Sequence, residues 1–600
     1  MAKQVLVCGG TGCLSAGADD IEKRMRKLLE TSHCEETSIE RVVKTTGCIG
    51  PCSVGPTILI MPDETLYTRL TVDDVEVIVN EHLKGDKPVE ALMQKSQGCP
   101  IRCLDDWEFF SGQTRIALRN TGFIDPLALD DYLERDGYQA LRYVLEELTP
   151  DQVIEEIKKS ELRGRGGAGF PAGLKWEFAR KADSPTKYIV CNADEGDPGA
   201  FMDRSILEGD PHSIIEAMII AGYAVGASQG YVYVRAEYPL AVKNLQQALE
   251  TANSAGYLGD DLFNQGFSFQ LTIRIGAGAF VCGEETALLA SIEGKRGLPR
   301  SKPPFPATDG LWGQPTVINN VETLANVPAI ILNGSSWFTS IGTATSKGTK
   351  VFAVAGDVNY TGLLEVPMGT SLRRIVYDIA GGIPEGKELK AIQIGGPSGG
   401  TIPADYIDLE IDFESLQEVG AIVGSGGLII MDEDTCMVDV ARFFLDFTQD
   451  ESCGKCTPCR VGARRMLEIL TRITEGNGAL KDLEQLESLA SLLQTTSLCG
   501  LGQTAPNPVL STLRFFRSEY MAHITDKVCP AGRCKNLVRP YAIDADICIG
   551  CTQCITACPV DAIDGERKSP HSIDPTLCIS CGECVNECPV DAISRLGERR

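Results

Sequence analysis

The chain has 600 residues, of which 43% are hydrophobic and 23% charged, so we expect several domains in series rather than a single core. Its formal net charge of −26 argues against a nucleic-acid partner, because phosphates attract basic surfaces. No apolar stretch approaches the roughly 18 residues of a membrane span, and the N-terminus lacks a signal-peptide pattern, so we expect a cytoplasmic protein without a membrane partner.

Cysteine is abundant, and the 24 cysteines of a chain kept in a reducing compartment indicate metal or cluster ligation rather than disulfides. Near the N-terminus, a predicted strand, a helix over about 19–30 and a second strand are flanked by two cysteine pairs. Such pairs suit the thiolate shell of one [2Fe–2S] cluster, and the pattern resembles thioredoxin-like [2Fe–2S] ferredoxins, which implies such a domain over residues 1–90. The candidate ligands are Cys8, Cys13, Cys48 and Cys52.

Residues 91–114 are interpreted as a linker, and a glycine-rich segment, ELRGRGGAGFPAGLKWEF, follows at 161–178. Glycine lets backbone N–H groups approach a phosphate closely, and Arg165 and Lys175 add positive charge. A glycine-rich loop alone often marks only a tight turn, so this segment needs support from other parts of the chain.

Three further blocks supply that support. A predicted strand ends in CNADEGDPGAF, a helix begins at CGEETALL, and the segments KPPFP and TVINNVETLANV follow. The first block places polar side chains at the end of a strand, the second places a glycine and two glutamates at the start of a helix, and the last two segments supply further polar and aromatic residues. The candidate residues are Asn192, Asp194, Glu195, Asp197, Gly283, Glu284, Glu285, Lys302, Phe305, Asn319, Asn320 and Thr323.

Together these blocks resemble the 51-kDa-type flavoprotein subunit of respiratory NADH dehydrogenase over roughly residues 115–525. The resemblance implies an α/β domain that binds FMN and NADH over residues 115–340. The loop would bind the FMN phosphate and NADH through Gly164, Arg165, Gly166, Gly167, Ala168 and Gly169. The FMN would be held by Asn192, Asp194, Gly283, Glu284, Glu285, Asn319, Asn320 and Thr323. The NADH site would be lined by Phe170, Lys175, Phe178, Asp197, Lys302 and Phe305.

The chemistry expected of this site needs little help from protein acids or bases. Nicotinamide delivers two electrons as hydride whereas clusters accept one at a time, so a flavin is the required converter. Glu195 is the candidate catalytic residue, expected to tune the flavin or the nicotinamide geometry. Family members often carry Glu where this chain has Asp197, which leaves the ribose contact open. The sequence does not decide between NADH and NADPH.

Downstream, short Val- and Ile-rich strands punctuated by glycine and proline predict a β-grasp-like domain over 341–430. Apolar residues that recur at intervals of three and four predict a helical bundle over 431–525. The bundle contains a Cys-x2-Cys-x2-Cys run and a distant fourth cysteine. On spacing alone these thiols suit a [4Fe–4S] cluster or zinc, and the resemblance to the flavoprotein subunit implies the cluster. The ligands would be Cys453, Cys456, Cys459 and Cys499.

A histidine and two cysteines precede the last domain, and Cys436 is the free cysteine best placed to join them. We predict a Cys3His zinc site that pins a hinge over residues 526–545. The alternative for a lone histidine is an ordinary core or surface residue. The predicted zinc ligands are Cys436, His523, Cys529 and Cys534.

The last sixty residues repeat the run Cys-x2-Cys-x2-Cys-x3-Cys-Pro and resemble bacterial two-cluster ferredoxins, which implies a domain with two [4Fe–4S] clusters over 546–600. The repeated Cys-Pro and PVDAI segments disfavour a pair of zinc sites. In such runs the fourth cysteine ligates the other cluster. One cluster would take Cys548, Cys551, Cys554 and Cys588, and the other Cys578, Cys581, Cys584 and Cys558.

Five cysteines remain outside these sets. Cys34 is interpreted as a bystander, and Cys99 and Cys103 as a linker feature of unknown use. Cys191 and Cys282 lie in apolar strand-like segments, where a buried free thiol is the ordinary interpretation.

The predicted fold is therefore a multidomain α/β and α+β chain, with FMN, NAD(H), one [2Fe–2S], three [4Fe–4S] and one zinc as cofactors. The arrangement resembles the beta subunit of soluble NAD-linked [FeFe]-hydrogenases, including electron-bifurcating ones. The resemblance implies a hetero-oligomer with a hydrogen-activating [FeFe]-hydrogenase subunit, a small thioredoxin-like [2Fe–2S] subunit and soluble ferredoxin as partners. The alternatives are the equivalent subunit of an NAD-dependent formate dehydrogenase and a non-catalytic electron-transfer scaffold. The sequence leaves open whether the flavin bifurcates and whether the C-terminal domain moves.

Overall fold

The computed structural model describes residues 3–30, 42–96, 98–537, 540–575 and 577–595. Cys34 lies outside the described residues. Across these ranges no helix has both the length and the apolar character that crossing a membrane requires.

The N-terminal domain is built on strands β1 (Gln4–Cys8), β2 (Val43–Thr46), β3 (Ile58–Met61) and β4 (Thr65–Tyr67). They lie in the order β2-β1-β3-β4, with β1 parallel to β2 and antiparallel to β3. The helix Ala18–Glu30 buries Ile21, Met25 and Leu29, whose spacing of four residues places them on one face. The domain also has helices Thr11–Ser15 and Asp74–Val77. The strand–helix–strand prediction around the cysteine pairs is confirmed.

The segment 91–114 is more than the predicted linker. It forms the short strands β5 (Lys95–Ser96) and β6 (Cys99–Pro100) and the helix Glu108–Ser111. Trp107 and Phe109 are buried in a hydrophobic cluster shared by the N-terminal domain and the β-grasp sheet. Aromatic side chains bury large apolar areas, so these two residues fasten the two domains to each other.

The central domain carries strands β7 (Tyr188–Ala193), β8 (Gln229–Arg235), β9 (Gln270–Gly276) and β10 (Thr316–Asn320), all parallel and ordered β10-β7-β8-β9. Ligands bind at the carboxyl edge of such sheets. That edge receives the ends of β7 and β10. The helices are Leu129–Leu133, Gln139–Glu147, Pro150–Lys159, Ala172–Lys181, Met202–Gly209, Pro211–Val225, Pro239–Ser254, Glu285–Ile292, Val321–Ala325, Val327–Asn333 and Ser335–Thr339.

The next sheet contains β11 (Thr349–Gly356), β12 (Gly362–Pro367), β13 (Leu389–Ile394), β14 (Gly400–Pro403) and β15 (Gly427–Asp432), in the order β12-β11-β15-β13-β14. Strands β11 and β15, the first and last of the five along the chain, are parallel neighbours at the centre of the sheet. This arrangement confirms the β-grasp-like prediction. The helix Phe413–Glu418 lies between β14 and β15. The predicted boundary at residue 430 is slightly early, because β15 ends at Asp432.

The helical region follows the prediction. Its helices are Met437–Asp450, Arg464–Thr474, Lys481–Thr496, Gly500–Thr504, Asn507–Phe515 and Arg517–Met521. They enclose an apolar core that includes Leu445, Met466 and Leu486.

The C-terminal domain contains β16 (Tyr541–Ile543), β17 (Ile563–Asp564), β18 (Ser572–Ile573) and β19 (Ile593–Arg595), with helices Gln553–Ala557 and Glu583–Asn586. Strand β16 pairs with β19, so the domain begins before the predicted boundary at residue 546. The end of the predicted hinge therefore belongs to the ferredoxin-like sheet.

Candidate functional site

The central site forms where β7 and β10 end side by side, with Asn192 opposite Asn320 in the parallel register. The side-chain amide of Asn192 donates to the carbonyl of Gly283 at 2.9 Å. Its amide oxygen accepts the backbone N–H of Asp194 at 3.0 Å. The strand ends and the CGEE segment, remote in sequence, thus meet.

The glycine loop closes one side of this site. The backbone N–H of Arg165 donates to Thr323 Oγ1 at 2.8 Å. A Cβ on Gly166 would lie 3.1 Å from the Cβ of Asn320, and Gly167 has a φ of +118° beside Gly424. Close approach and positive φ both favour glycine here, so the loop backbone lies directly against the candidate flavin residues.

The side chain of Arg165 differs from the prediction. It is 1% exposed, and its guanidinium donates to the backbone carbonyls of Arg163 and Lys347. Burial lowers its pKa to about 10. The charge that was assigned to a phosphate therefore supports the loop from within.

The remaining loop and cleft residues take distinct places. Lys175 donates to the carbonyl of Ile318 at 3.0 Å, and Lys302 pairs with Glu284 at 3.0 Å and with Glu285. Glu284 also caps the helix that follows it by accepting backbone N–H groups. Three aromatic rings are available to stack on a nucleotide, being 44%, 49% and 56% exposed: Phe170, Phe178 and Phe305 respectively.

The acidic residues after β7 are buried, and burial raises the pKa of Asp194 to about 7 and that of Asp197 to about 6. Both carboxylate oxygens of Asp194 and Nη1 of Arg235 lack hydrogen-bond partners among the described residues. The two side chains approach only to 3.8 Å. Buried polar atoms without partners are costly, so this pair fits a site whose bound group supplies them.

Glu195 has a structural setting that the sequence did not reveal. Its carboxylate accepts the backbone N–H groups of Met202 at 2.9 Å, Asp203 at 3.2 Å and Arg204 at 3.1 Å. It therefore caps the helix Met202–Gly209. Burial raises its pKa to about 7. The predicted catalytic role stays a prediction.

Two residues of the site were missed. The indole N–H of Trp176 donates to Asn319 Oδ1 at 2.9 Å, and Asp203 accepts the side-chain amide of Asn320 at 2.6 Å. Each fixes the orientation of an amide predicted to hold the flavin. In the sequence, Trp176 lies between the predicted site residues Lys175 and Phe178, and this position could have marked it as a candidate.

The cysteine loop of the helical region packs directly against the central site. The Lys455 side chain reaches the carbonyl of Pro299, and the backbone N–H of Phe280 donates to Glu451 at 2.8 Å. Burial raises the pKa of Cys459 to about 11, and the neighbouring thiols of the set add to that effect. The set that converges here is Cys453, Cys456, Cys459 and Cys499.

The N-terminal thiols also converge. The sulfurs of Cys48 and Cys52 are 3.7 Å apart, and Cys8 lies within hydrogen-bonding reach of Cys13 and Cys48. These contacts hold the pKa of Cys8 well below its usual range. Thr11, the first residue of the helix Thr11–Ser15 that carries Cys13, donates to Glu208 of the central domain at 3.0 Å. The predicted [2Fe–2S] site thus faces the helix that Glu195 caps.

The predicted zinc ligands are all buried, and their ligand atoms lie within 4.8 Å of one another. His523 Nε2 is 3.4 Å from the sulfurs of Cys436 and Cys534, which are themselves 3.8 Å apart. His523 Nδ1 is 2.7 Å from the carbonyl of Glu519. A second contact of this kind is typical of metal-binding histidines.

In the C-terminal domain, the structure places the two crosswise cysteine sets around separate cavities. One pocket is lined by Cys548, Cys551, Cys554 and Cys588. The other is lined by Cys558, Cys578, Cys581 and Cys584. Four thiols that converge on one pocket fit each of the predicted cubane clusters. Elsewhere, Cys191 and Cys282 are buried and unpaired with another cysteine among the described residues, whereas Cys99 is exposed.

Four family models match the chain. They are described as a thioredoxin-like [2Fe–2S] ferredoxin over 2–83, a Nuo51 FMN-binding domain over 157–329, an NADH-ubiquinone oxidoreductase-F iron-sulfur binding region over 439–523, and a 4Fe-4S dicluster domain over 542–595. These matches confirm the predicted flavin-binding, [2Fe–2S] and [4Fe–4S] domains.

Similar proteins cover most of the chain. The NADP-reducing hydrogenase subunit HndC of Solidesulfovibrio fructosivorans is 58% identical over 456 residues, covering 76% of this chain and 92% of that protein. An F-type subunit of the NADH-quinone oxidoreductase of Rhizobium meliloti is 48% identical over 415 residues, 69% of this chain and 99% of that protein. A crystal structure of an NAD+-reducing [NiFe]-hydrogenase in the H2-reduced state is similar with a TM-score of 0.62 and 32% identity, covering 87% of this chain and 84% of that chain.

Proposed function

Because the chain belongs to the family of F-type, 51-kDa flavoprotein subunits of NADH dehydrogenases, we propose that it exchanges electrons between NAD(H) and a hydrogen-activating partner. Bound FMN supplies the chemistry that turns hydride into single electrons. The iron–sulfur clusters would carry these electrons through the chain.

The main support for this proposal is that one segment of the chain contacts both the flavin site and the loop of Cys453. Residues 280–299 bear the Gly283–Glu285 segment on one side and contact the loop of Cys453 on the other. The Asp194 carboxylate, whose oxygens have no partner among the described residues, lies beside this segment, because a Cβ built on Gly283 would be 3.7 Å from its Oδ2. A scaffold without nucleotide chemistry has no need of such a site.

The chain's own residues bind and orient in this scheme. The glycine loop presents backbone N–H groups, Lys302 and Lys175 place positive charge opposite Glu285, and Asn192 and Asn319 are held by fixed hydrogen bonds. Phe170 and Phe305 offer exposed rings for the nucleotide base. Fixed donors that need no reorganisation favour electron and hydride transfer.

The proposal extends to the identity of the hydrogen-activating partner. The high identity to a subunit of an NADP-reducing hydrogenase favours a hydrogen-activating subunit over formate dehydrogenase. We assign that partner to the [FeFe] class, together with a small thioredoxin-like [2Fe–2S] subunit and soluble ferredoxin in one hetero-oligomer. With ferredoxin as an electron-transfer partner beside NAD(H), the flavin site would divide electrons between the two and so bifurcate them.

The test recovers the native complex through a tag on this chain and measures anaerobic reduction of NAD and NADP by hydrogen. Activity that requires oxidised ferredoxin supports bifurcation, and activity without ferredoxin supports a simple NAD(P)-linked hydrogenase. A complex that responds only to formate overturns the hydrogenase assignment. A purified chain that lacks FMN and shows no bleaching with NADH overturns the enzymatic proposal in favour of a scaffold.

We also propose that Cys436, His523, Cys529 and Cys534 hold zinc. Tetrahedral zinc with Zn–S bonds of about 2.3 Å requires sulfurs about 3.8 Å apart, and the sulfurs of Cys436 and Cys534 match that spacing. The anaerobically purified chain should contain about 14 iron atoms and about one zinc. Cys529→Ser should remove the zinc and leave the iron content unchanged, whereas loss of about four iron atoms would assign a cluster there.

A further inference from the structure

The two halves of the C-terminal domain are related by an internal repeat that makes their residues comparable. YAIDADIC at 541–548 aligns with HSIDPTLC at 571–578, so Tyr541 and His571 hold equivalent positions. The backbone repeats too. The N–H of Asp544 donates to Ala592 and that of Asp574 to Ala562, both at 2.8 Å. The two cluster sites can therefore be compared residue by residue.

Each of these residues covers one of the two cavities. His571 lines the cavity of Cys548, Cys551, Cys554 and Cys588, whereas Tyr541 lines the cavity of the other set. The ring of His571 is 3% exposed. A Cβ on Gly565 would approach that ring to 2.5 Å, so the glycine leaves the space that the imidazole fills.

The imidazole contacts a cysteine of its own cavity. His571 Nδ1 lies 3.6 Å from Cys548 Sγ, while Nε2 has no partner among the described residues. A cluster-bound thiolate carries no proton and only accepts hydrogen bonds, so the contact is favourable with the proton on Nδ1. The equivalent Cys578 receives the backbone N–H of Ser580 at 3.4 Å instead. The last cysteines match, because Cys588 and Cys558 each accept a backbone N–H.

We propose that His571 is a positioning residue for the cubane cluster at Cys548, whose reduction potential it raises by donating a hydrogen bond to that thiolate. The inference rests on the cluster content proposed above. Hydrogen bonds to cluster sulfur stabilise the reduced, more negative state. The reduction potential of the cluster at Cys548 therefore depends on a side-chain donor, His571, which a substitution can remove. At the equivalent Cys578 the donor is a backbone N–H.

The test is a potentiometric titration of the full chain followed by electron paramagnetic resonance. His571→Phe keeps an aromatic ring without the donor and should make reduction of one cubane about tenfold less favourable, which equals about 59 mV for one electron. His571→Asn places an amide donor near the position of Nδ1 and should restore most of the potential. The other cubane should not change in either variant.

The reciprocal variant uses the repeat. Tyr541→His should raise the potential of the second cubane, and Tyr541→Phe is the matched control that should leave it unchanged. Iron and acid-labile sulfide are measured on every variant. Wild-type protein without two cubanes in this domain would defeat the proposed cluster content. Intact cubanes with unchanged potentials in His571→Phe would defeat the role of His571 alone.

Discussion

At the scale of single residues, the cysteines were the most predictable part of the chain. Ligand geometry constrains spacing, so the sets around Cys8, Cys453 and Cys548 converge as the sequence indicated. Arg165 and Glu195 were less predictable. Their partners, the carbonyl of Lys347 and the N-terminus of a helix, are set by tertiary structure, and a local pattern does not show which way a charge faces.

Burial raises the pKa of the Asp194 carboxyl from 3.8 to about 7. A raised carboxyl pKa means that the folded state disfavours the charge. The penalty is absent below about pH 4 and complete above about pH 7, where such a shift corresponds to about 4 kcal/mol. Asp194→Asn should therefore raise the melting temperature of the flavin-free chain at pH 8 and leave it nearly unchanged at pH 4.

The same substitution should weaken flavin binding, since it replaces one of two carboxylate oxygens that have no hydrogen-bond partner among the described residues by an amide nitrogen, which cannot accept a hydrogen bond from the flavin. Flavin fluorescence titration measures that loss, and Asp183→Asn, at an exposed carboxylate, is the matched control. Equal melting temperatures for Asp194→Asn and the parent chain at pH 8 would show that the buried carboxylate has a partner in the flavin-free state.

At the scale of elements, the buried pair of Lys350 on β11 and Glu322 on the helix Val321–Ala325 joins the β-grasp sheet to the flavin domain. Lys350 also donates to the carbonyl of Ser425 at 2.6 Å, and Glu322 accepts the N–H of Val351 at 2.8 Å. Removal of one partner of a buried pair leaves an uncompensated charge. Lys350→Met should thus destabilise the chain by about 3–5 kcal/mol.

Thermal denaturation of Lys350→Met, Glu322→Gln and the double variant measures this coupling. The double variant should be more stable than Lys350→Met alone, because no charge then remains buried. Strictly additive losses in the two single variants would rule out a charged pair at this junction.

A second junction joins the [2Fe–2S] domain to the helix Met202–Gly209. A Cβ on Gly47 would lie 2.4 Å from the Cα of Gly209, although the backbone conformation at either glycine accepts alanine. Gly47→Ala should therefore force the domains apart, at a cost of about 1–3 kcal/mol. It should also slow the reduction of the [2Fe–2S] signal by NADH in freeze-quench resonance experiments.

Gly12→Ala is the matched control in the same domain, since a Cβ there meets nothing within 4 Å. Normal reduction kinetics in Gly47→Ala would indicate that electrons reach this cluster by a route that avoids the junction.

The composition of residues 91–114 did not reveal how firmly the [2Fe–2S] domain is held, because the burial of Trp107 depends on Tyr360, far away in sequence.

At the scale of the whole molecule, the order of domains was predictable from motifs, whereas their coupling was not. One hydrophobic cluster contains both Val5 of β1 and Leu364 of β12. The C-terminal domain has a separate cluster that includes Ile563 and Ile593. A shared core makes two domains open together, and a separate core allows independent opening.

Hydrogen exchange measured by mass spectrometry tests this division. Trp107 is 2% exposed, and its ring centroid lies 5.1 Å from that of Phe109 and 4.9 Å from that of Tyr360. Trp107→Ala should cost about 3–5 kcal/mol and accelerate exchange in β1 and β12 together. Ile593→Val should accelerate exchange only in the C-terminal domain. Faster exchange in β1 with β12 still protected would contradict the shared core and make the [2Fe–2S] domain an independently opening unit.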